Sequence, residues 1–140
     1  MDDMIEVYQS YLDMTDEERN AIARSASEKL FEHLIEFYDE ESILKTYINM
    51  FSVLCTVDGV INHEEHKIFS IVTNTNVLYD DFFEVMKFGV KAELIEEFFG
   101  FANSQGDDFI GYLFVLAICI FSCKGTITVE EQEFIEEYFL

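Results

Sequence analysis

The stretch "VDGVINHEE", residues 57–65, has a second copy 66 residues further along the chain, "CKGTITVEE" at 123–131. Each copy follows an apolar stretch of helical period and contains a glycine, an isoleucine two residues later, a helix-capping residue and two glutamates. The matching pairs are Gly59 with Gly125, Ile61 with Ile127, Asn62 with Thr128, Glu64 with Glu130, and Glu65 with Glu131. Repeated helix–turn–helix units bury their apolar faces against each other. The repeat therefore predicts two related halves, at about 41–73 and 108–140, around a pseudo-twofold axis.

Every residue type in the repeat has a structural role in ending one helix and starting the next. A glycine adopts the left-handed conformation that stops a helix. Asn and Thr cap the following helix, and a glutamate three residues later completes a capping box. The isoleucines between them are expected to be extended and to form a short backbone bridge, Ile61 beside Ile127. The predicted structural turn residues are Gly59, Ile61, Asn62, Gly125, Ile127 and Thr128.

The first copy also matches the second half of a calcium-binding loop. Asp58 to Glu65 fits positions 5 to 12 of the EF-hand pattern D-x-D-x-D-G-x-I-x-x-x-E. Such a loop needs oxygen ligands at positions 1, 3 and 5 as well as 12. Position 1 is apolar in both copies and Lys124 replaces the central aspartate in the second, so a true EF-hand is excluded. Asp58, Glu65 and Glu131 remain candidate ligands of a weak calcium or magnesium site, with a dissociation constant near ~0.1–1 mM.

The pattern helix, D-G-x-I-x-x-x-E, helix, in two related halves, resembles the TerB-like domains of tellurite-resistance proteins. The resemblance covers roughly 41–140, with 15–39 as a leading helix. It implies a cytoplasmic, non-enzymatic helical domain linked to stress and metal-ion responses, in which acidic residues bind a divalent cation. It assigns Asp58 and Glu65 to the acidic pair of the first motif and only Glu131 in the second. Because Lys124 stands where an aspartate is expected, its ammonium can satisfy a carboxylate and makes the site less favourable for metal.

Composition predicts an all-α, single-domain bundle of about seven helices over 1–140. Half of the 140 residues are apolar, there is no proline, and six glycines leave few helix breakers. The longest apolar run, 109–123, is too short to span a bilayer and predicts a central core helix. The three cysteines are expected to be buried, reduced thiols in a cytoplasmic protein.

The charge restricts the class of partner. Asp and Glu number 29 against 8 Lys and Arg, a net charge of −21. Nucleic acids and anionic membranes are unsuitable because both are bound through clustered basic residues. A basic protein, a metal cation or solubility alone are the remaining explanations. The sequence leaves monomer and homodimer open.

Three functions are consistent with these features. The first is a non-enzymatic TerB-like domain that acts through protein partners. The second is an acidic inhibitor or immunity-type protein that blocks a basic surface such as a nuclease groove. The third, a small hydrolase, has little support, since no nucleophile has a sequence-evident base and no glycine-rich phosphate loop exists. His63 and His66 lack the spacing of a helical zinc motif, and they and His33 are expected at the surface.

Overall fold

The computed structural model describes residues 2–87 and 92–140, and it contains eight α-helices in these ranges. In chain order they are α1 (Asp2–Leu12), α2 (Asp16–Leu34), α3 (Glu40–Cys55), α4 (His63–Thr73), α5 (Tyr79–Met86), α6 (Ala92–Ser104), α7 (Asp107–Ser122) and α8 (Val129–Tyr138). The described ranges contain no strand. The predicted all-α class is confirmed, with one helix more than expected. The predicted end of the fifth helix at 89 and start of the sixth at 91 lie outside the described residues.

Side-chain caps set the boundaries of several helices. Thr15 caps α2, where its hydroxyl accepts from the backbone N–H of Glu18 at 3.1 Å and its own N–H donates to Glu18 Oε1 at 2.9 Å. Asp39 caps α3 by accepting from the N–H of Ser42 at 2.8 Å. These bonds satisfy N–H groups that have no partner inside the helix. Asn74 ends α4 in the left-handed conformation, with φ at +53°, a conformation that asparagine tolerates.

The most apolar helix forms the centre of the core, as the sequence predicts. Within α7, residues 116–121 are all fully buried. The helix packs along α2 and also contacts α1, α3 and α6. Among the described residues, no helix combines the length and the apolar character needed to cross a bilayer.

A buried arginine joins α1 to α2, a feature that sequence patterning did not reveal. Arg19 is only 4% exposed. Its Nη2 donates to the carbonyls of Tyr11 at 2.8 Å and Met14 at 3.0 Å, and its Nη1 donates to Asp16 Oδ1 at 3.0 Å. The guanidinium therefore satisfies carbonyls left open at the end of α1.

The cysteines are free, as predicted. Cys55 and Cys119 are buried and Cys123 is half-buried. Burial raises the pKa of Cys119 and of Cys123 to about 12. Because the thiolate is the reactive form, this shift disfavours reactivity at both residues.

Candidate functional site: the paired glycine turns

The two turns share the same local geometry. Gly59 and Gly125 have φ of +77° and +94°, as predicted. Each glycine N–H donates to the carbonyl three residues earlier, of Thr56 or Ser122, at 3.0 Å. The hydroxyls of Thr56 and Ser122 in turn donate to the carbonyls four residues before them, at 2.6 Å and 2.7 Å. The sequence repeat is thus a repeat of turn structure.

The helices after the turns start with the predicted capping boxes. Asn62 Oδ1 accepts from the N–H of Glu65 at 2.9 Å, and Glu65 Oε1 accepts from the N–H of Asn62 at 2.9 Å. Thr128 and Glu131 make the same reciprocal pair at 3.2 Å and 2.9 Å. The two glutamates are nonetheless among the most buried residues, at 1% and 0% exposed, which the capping pattern alone does not explain.

The turns lie next to each other, as predicted. Lys124 of the second turn places its Nζ 3.7 Å from Asp58 Oδ2 of the first. This contact brings the candidate residues of both motifs into one cluster. A pseudo-twofold relation between the complete halves stays a prediction.

The predicted backbone bridge between Ile61 and Ile127 is wrong. Across the described ranges, no backbone hydrogen bond joins these two residues. Their carbonyls accept from side chains instead: Tyr79 Oη donates to Ile61 at 3.1 Å, and Gln132 Nε2 donates to Ile127 at 3.2 Å. Since these carbonyls are already satisfied, no strand pairing is required.

The ammonium of Lys124 occupies the centre of the cluster. It donates to Glu131 Oε1 at 2.7 Å and Oε2 at 2.8 Å, and to the carbonyl of Phe121 at 2.8 Å. These contacts use the three donors that an ammonium has. Asp58 Oδ1 accepts from the N–H of Val60 at 3.0 Å, so this carboxylate also holds its own turn in place.

Glu65 differs from Asp58 and Glu131 because, among the described residues, it forms no ion pair with Lys124. Its Oε2 is buried and has no hydrogen-bond partner among the residues that the structure describes. Burial raises the pKa of Glu65 to about 8, although the hydrogen bond from Asn62 and the charge of Lys124 act in the opposite direction. Burial also raises the pKa of Glu131 despite its bond to Lys124. Burial therefore favours the protonated form of Glu65.

These residues fit a divalent cation poorly. Glu131 is engaged with an ammonium, Asp58 bonds to its own turn, and burial disfavours the charged form of Glu65 that a cation would need. A calcium site needs several oxygen ligands with negative charge. In the part of the chain that the structure describes, no group of three or more His, Cys, Asp or Glu side chains is arranged to hold a metal ion. The weak site predicted at Asp58, Glu65 and Glu131 stays a prediction.

Two histidines predicted at the surface are half-buried packing residues. His66 Nε2 forms a hydrogen bond with the carbonyl of Val77, and its ring lies against Phe82. His33 Nε2 bonds to Gln105 Oε1 at 2.9 Å, across 72 positions of sequence. The surface prediction failed because the partners are too distant in sequence to be recognised. His63 is exposed, and its ring stacks on Tyr79 with centroids 3.7 Å apart.

Compared with known proteins, the chain matches no family model, no curated protein and no solved structure at a significant level. The resemblance to TerB-like domains therefore rests on the paired turns themselves.

Replacing Glu65 with glutamine tests the protonation of the cluster. The pKa of Glu65, raised from 4.5 to about 8, means that the folded chain keeps a proton that the unfolded chain has lost. The stabilisation from this group is complete below about pH 4.5 and is lost as the pH rises towards 8. Glutamine keeps the capping bond without the charge. We expect the Tm of Glu65→Gln, relative to wild type, to rise between about pH 5 and 8 and then level off. A Tm difference that does not change with pH would contradict this assignment.

Proposed function

We propose that this chain is a non-enzymatic binding domain of the TerB-like kind, with a cytoplasmic, stress- or tellurite-resistance-type role exerted through a basic protein partner. The observation that carries the proposal is the meeting of the D-G-x-I-x-x-x-E turn with its K-G-x-I-x-x-x-E counterpart at Lys124, whose ammonium lies 3.7 Å from Asp58 and 2.7 Å from Glu131. The internal ammonium takes the place that a divalent cation would have between the two acidic turns. The cluster then acts as a joint between the two helix pairs, with at most weak cation binding.

The charge of the chain supports a cationic partner. A net charge of −21 accelerates encounter with a basic surface, and the acceleration decreases as salt screens it. Affinity capture from cytoplasm, with and without divalent cations, is the direct search for such a partner. The association rate of the captured protein should rise as salt is lowered. An association rate that does not change between low and physiological salt would mean that the charge serves solubility alone.

The same charge supports a second candidate function, an acidic inhibitor or immunity-type protein. In that case the partner is an enzyme with a basic groove, such as a nuclease, and binding abolishes its activity. The two functions differ in one measurable respect, since only the inhibitor reduces the catalytic rate of the captured partner in proportion to the complex formed.

The role of Lys124 as internal cation predicts how the chain responds to metals. A site with a ~0.1 mM dissociation constant would add about 1.4 kcal/mol at ~1 mM calcium, a rise in Tm of roughly 3–6 °C. We expect wild type to stay below this range with calcium, magnesium, manganese or zinc. Lys124→Asp adds a carboxylate to Asp58, Glu65 and Glu131, and its Tm should rise with metal by an amount within this range. Adding Asp58→Asn to that variant should remove the metal-dependent rise in Tm. A full shift in wild type, abolished by Asp58→Asn alone, would contradict the internal-cation role.

A further inference from the structure

A groove of about 450 Å³ lies away from the paired turns, between the C-terminal half of α2, the N-terminal half of α3 and the end of α4. Its floor contains the buried side chains of Ile43 and Tyr47. Tyr47 Oη donates to the carbonyl of Ser27 at 2.8 Å, which ties α3 to α2. This hydrogen bond therefore holds together the two helices that form most of the groove.

The groove is flanked by accessible apolar side chains. Phe31 and Leu44 line it and are 45% and 54% exposed. They belong to segment 31–44, which exposes five large apolar side chains: Phe31, Ile35, Phe37, Tyr38 and Leu44. Of these, Phe31 and Leu44 line the groove, and exposed apolar side chains beside polar groups at a groove are typical of an interaction site.

The rim of the groove is acidic. Glu28, Glu32 and Glu40 line it, and none of the described lining residues is basic. Lys29 lies 3.7 Å from Glu32, but both side chains are more than half exposed, so this ion pair neutralises the rim only weakly. An occupant must combine apolar anchors with positive charge. A second copy of the chain does not meet this requirement, since each copy carries a charge of −21.

We propose that this groove binds an amphipathic helix of a partner protein, with apolar residues on one face and Lys or Arg beside them. The apolar residues, spaced i, i+3 or i+4 and i+7, enter the groove between Phe31 and Leu44. The basic residues lie opposite Glu28, Glu32 and Glu40. This inference rests on the proposed function and identifies the surface and the chemistry through which it acts.

The test uses a synthetic, fluorescein-labelled helical peptide of about 16 residues with leucines at that spacing and lysines elsewhere. A peptide of the same composition with scrambled leucine positions serves as control. Fluorescence anisotropy gives the Kd for the full chain and three variants. One is Leu44→Gln. The second is the groove triple Glu28→Gln, Glu32→Gln and Glu40→Gln. The third is a charge-matched triple on α6 and α8, Glu93→Gln, Glu97→Gln and Glu136→Gln, all exposed positions.

We expect Leu44→Gln and the groove triple each to weaken peptide binding about tenfold, and the charge-matched triple about twofold or less. The scrambled peptide should bind wild type about tenfold more weakly than the amphipathic one. Equal effects of both triples, with no effect of Leu44→Gln, would overturn the groove while leaving a basic partner intact. No binding of either peptide, or of polylysine, would overturn the groove and the proposed basic partner together. Circular dichroism of each variant shows that the fold is retained.

Discussion

Lys124→Met is expected to lower the free energy of unfolding by about 3–5 kcal/mol, the cost of breaking a buried ion pair by removing one partner. The Lys124 side chain is 16% exposed and that of Glu131 only 1%. Without the ammonium, Glu131 keeps the N–H of Thr128 but loses its opposite charge, and Asp58 loses its ion pair. Chemical denaturation of both proteins at neutral pH gives the difference.

Two further variants show whether this loss comes from the buried pair. Lys67→Met removes an exposed lysine that lies 3.4 Å from Glu64, with side chains 66% and 40% exposed, and it should cost less than about 1 kcal/mol. Lys124→Met with Glu131→Gln removes both charges and keeps the capping bond, so it should recover much of the loss. Glu131→Gln alone completes the double-mutant cycle, and a double variant whose loss of stability equals the sum of the losses of Lys124→Met and Glu131→Gln would contradict the coupling between these residues.

Gly59→Val is expected to destabilise the chain by about 1–3 kcal/mol, with or without divalent cations. The cause is the backbone, because φ is +77° and a Cβ at this position would meet no atom of the described residues within 4 Å. A β-branched residue is strongly disfavoured in this region. For 140 residues the loss corresponds to a Tm lower by roughly 3–10 °C.

Gly59→Asn is the matched control, since asparagine adopts the left-handed conformation at lower cost. In a thermal melt under the same conditions, we expect the decrease in Tm of Gly59→Asn to be less than half that of Gly59→Val. If both variants lower the Tm by the same amount, the cost comes from the loss of glycine rather than from the β-branched side chain. That result would contradict the explanation given for the valine variant.

The predictions from sequence that the structure confirms depend mainly on local interactions. The glycine conformations and the capping boxes depend on residues within a few positions of one another, as at Asn62 and Glu65. The 66-residue repeat added the one long-range prediction that succeeded, the proximity of the two turns. It did so because the two turns share their glycine, isoleucine, capping residue and glutamates, which predicts two equivalent joints in one small domain.

Features that depend on partners distant in sequence were missed. The backbone bridge at Ile61 did not form because the hydroxyl of Tyr79, the first residue of α5, donates a hydrogen bond to the carbonyl of Ile61. His33 is held by Gln105, 72 positions away. The groove was not predicted either, since Glu28 and Glu40 read separately as solvated helix surface and only the packing of α2 against α3 brings them to one rim.

An amide chemical-shift titration of the isotopically labelled chain with the leucine–lysine peptide tests most directly whether binding uses the groove while the paired turns act as a joint. We predict that the largest shifts fall on residues 27–47 and 72–73, and that residues 58–65 and 124–131 change little. Shifts concentrated on the paired turns, around Asp58 and Glu131, would contradict this account and place the binding site at the joint.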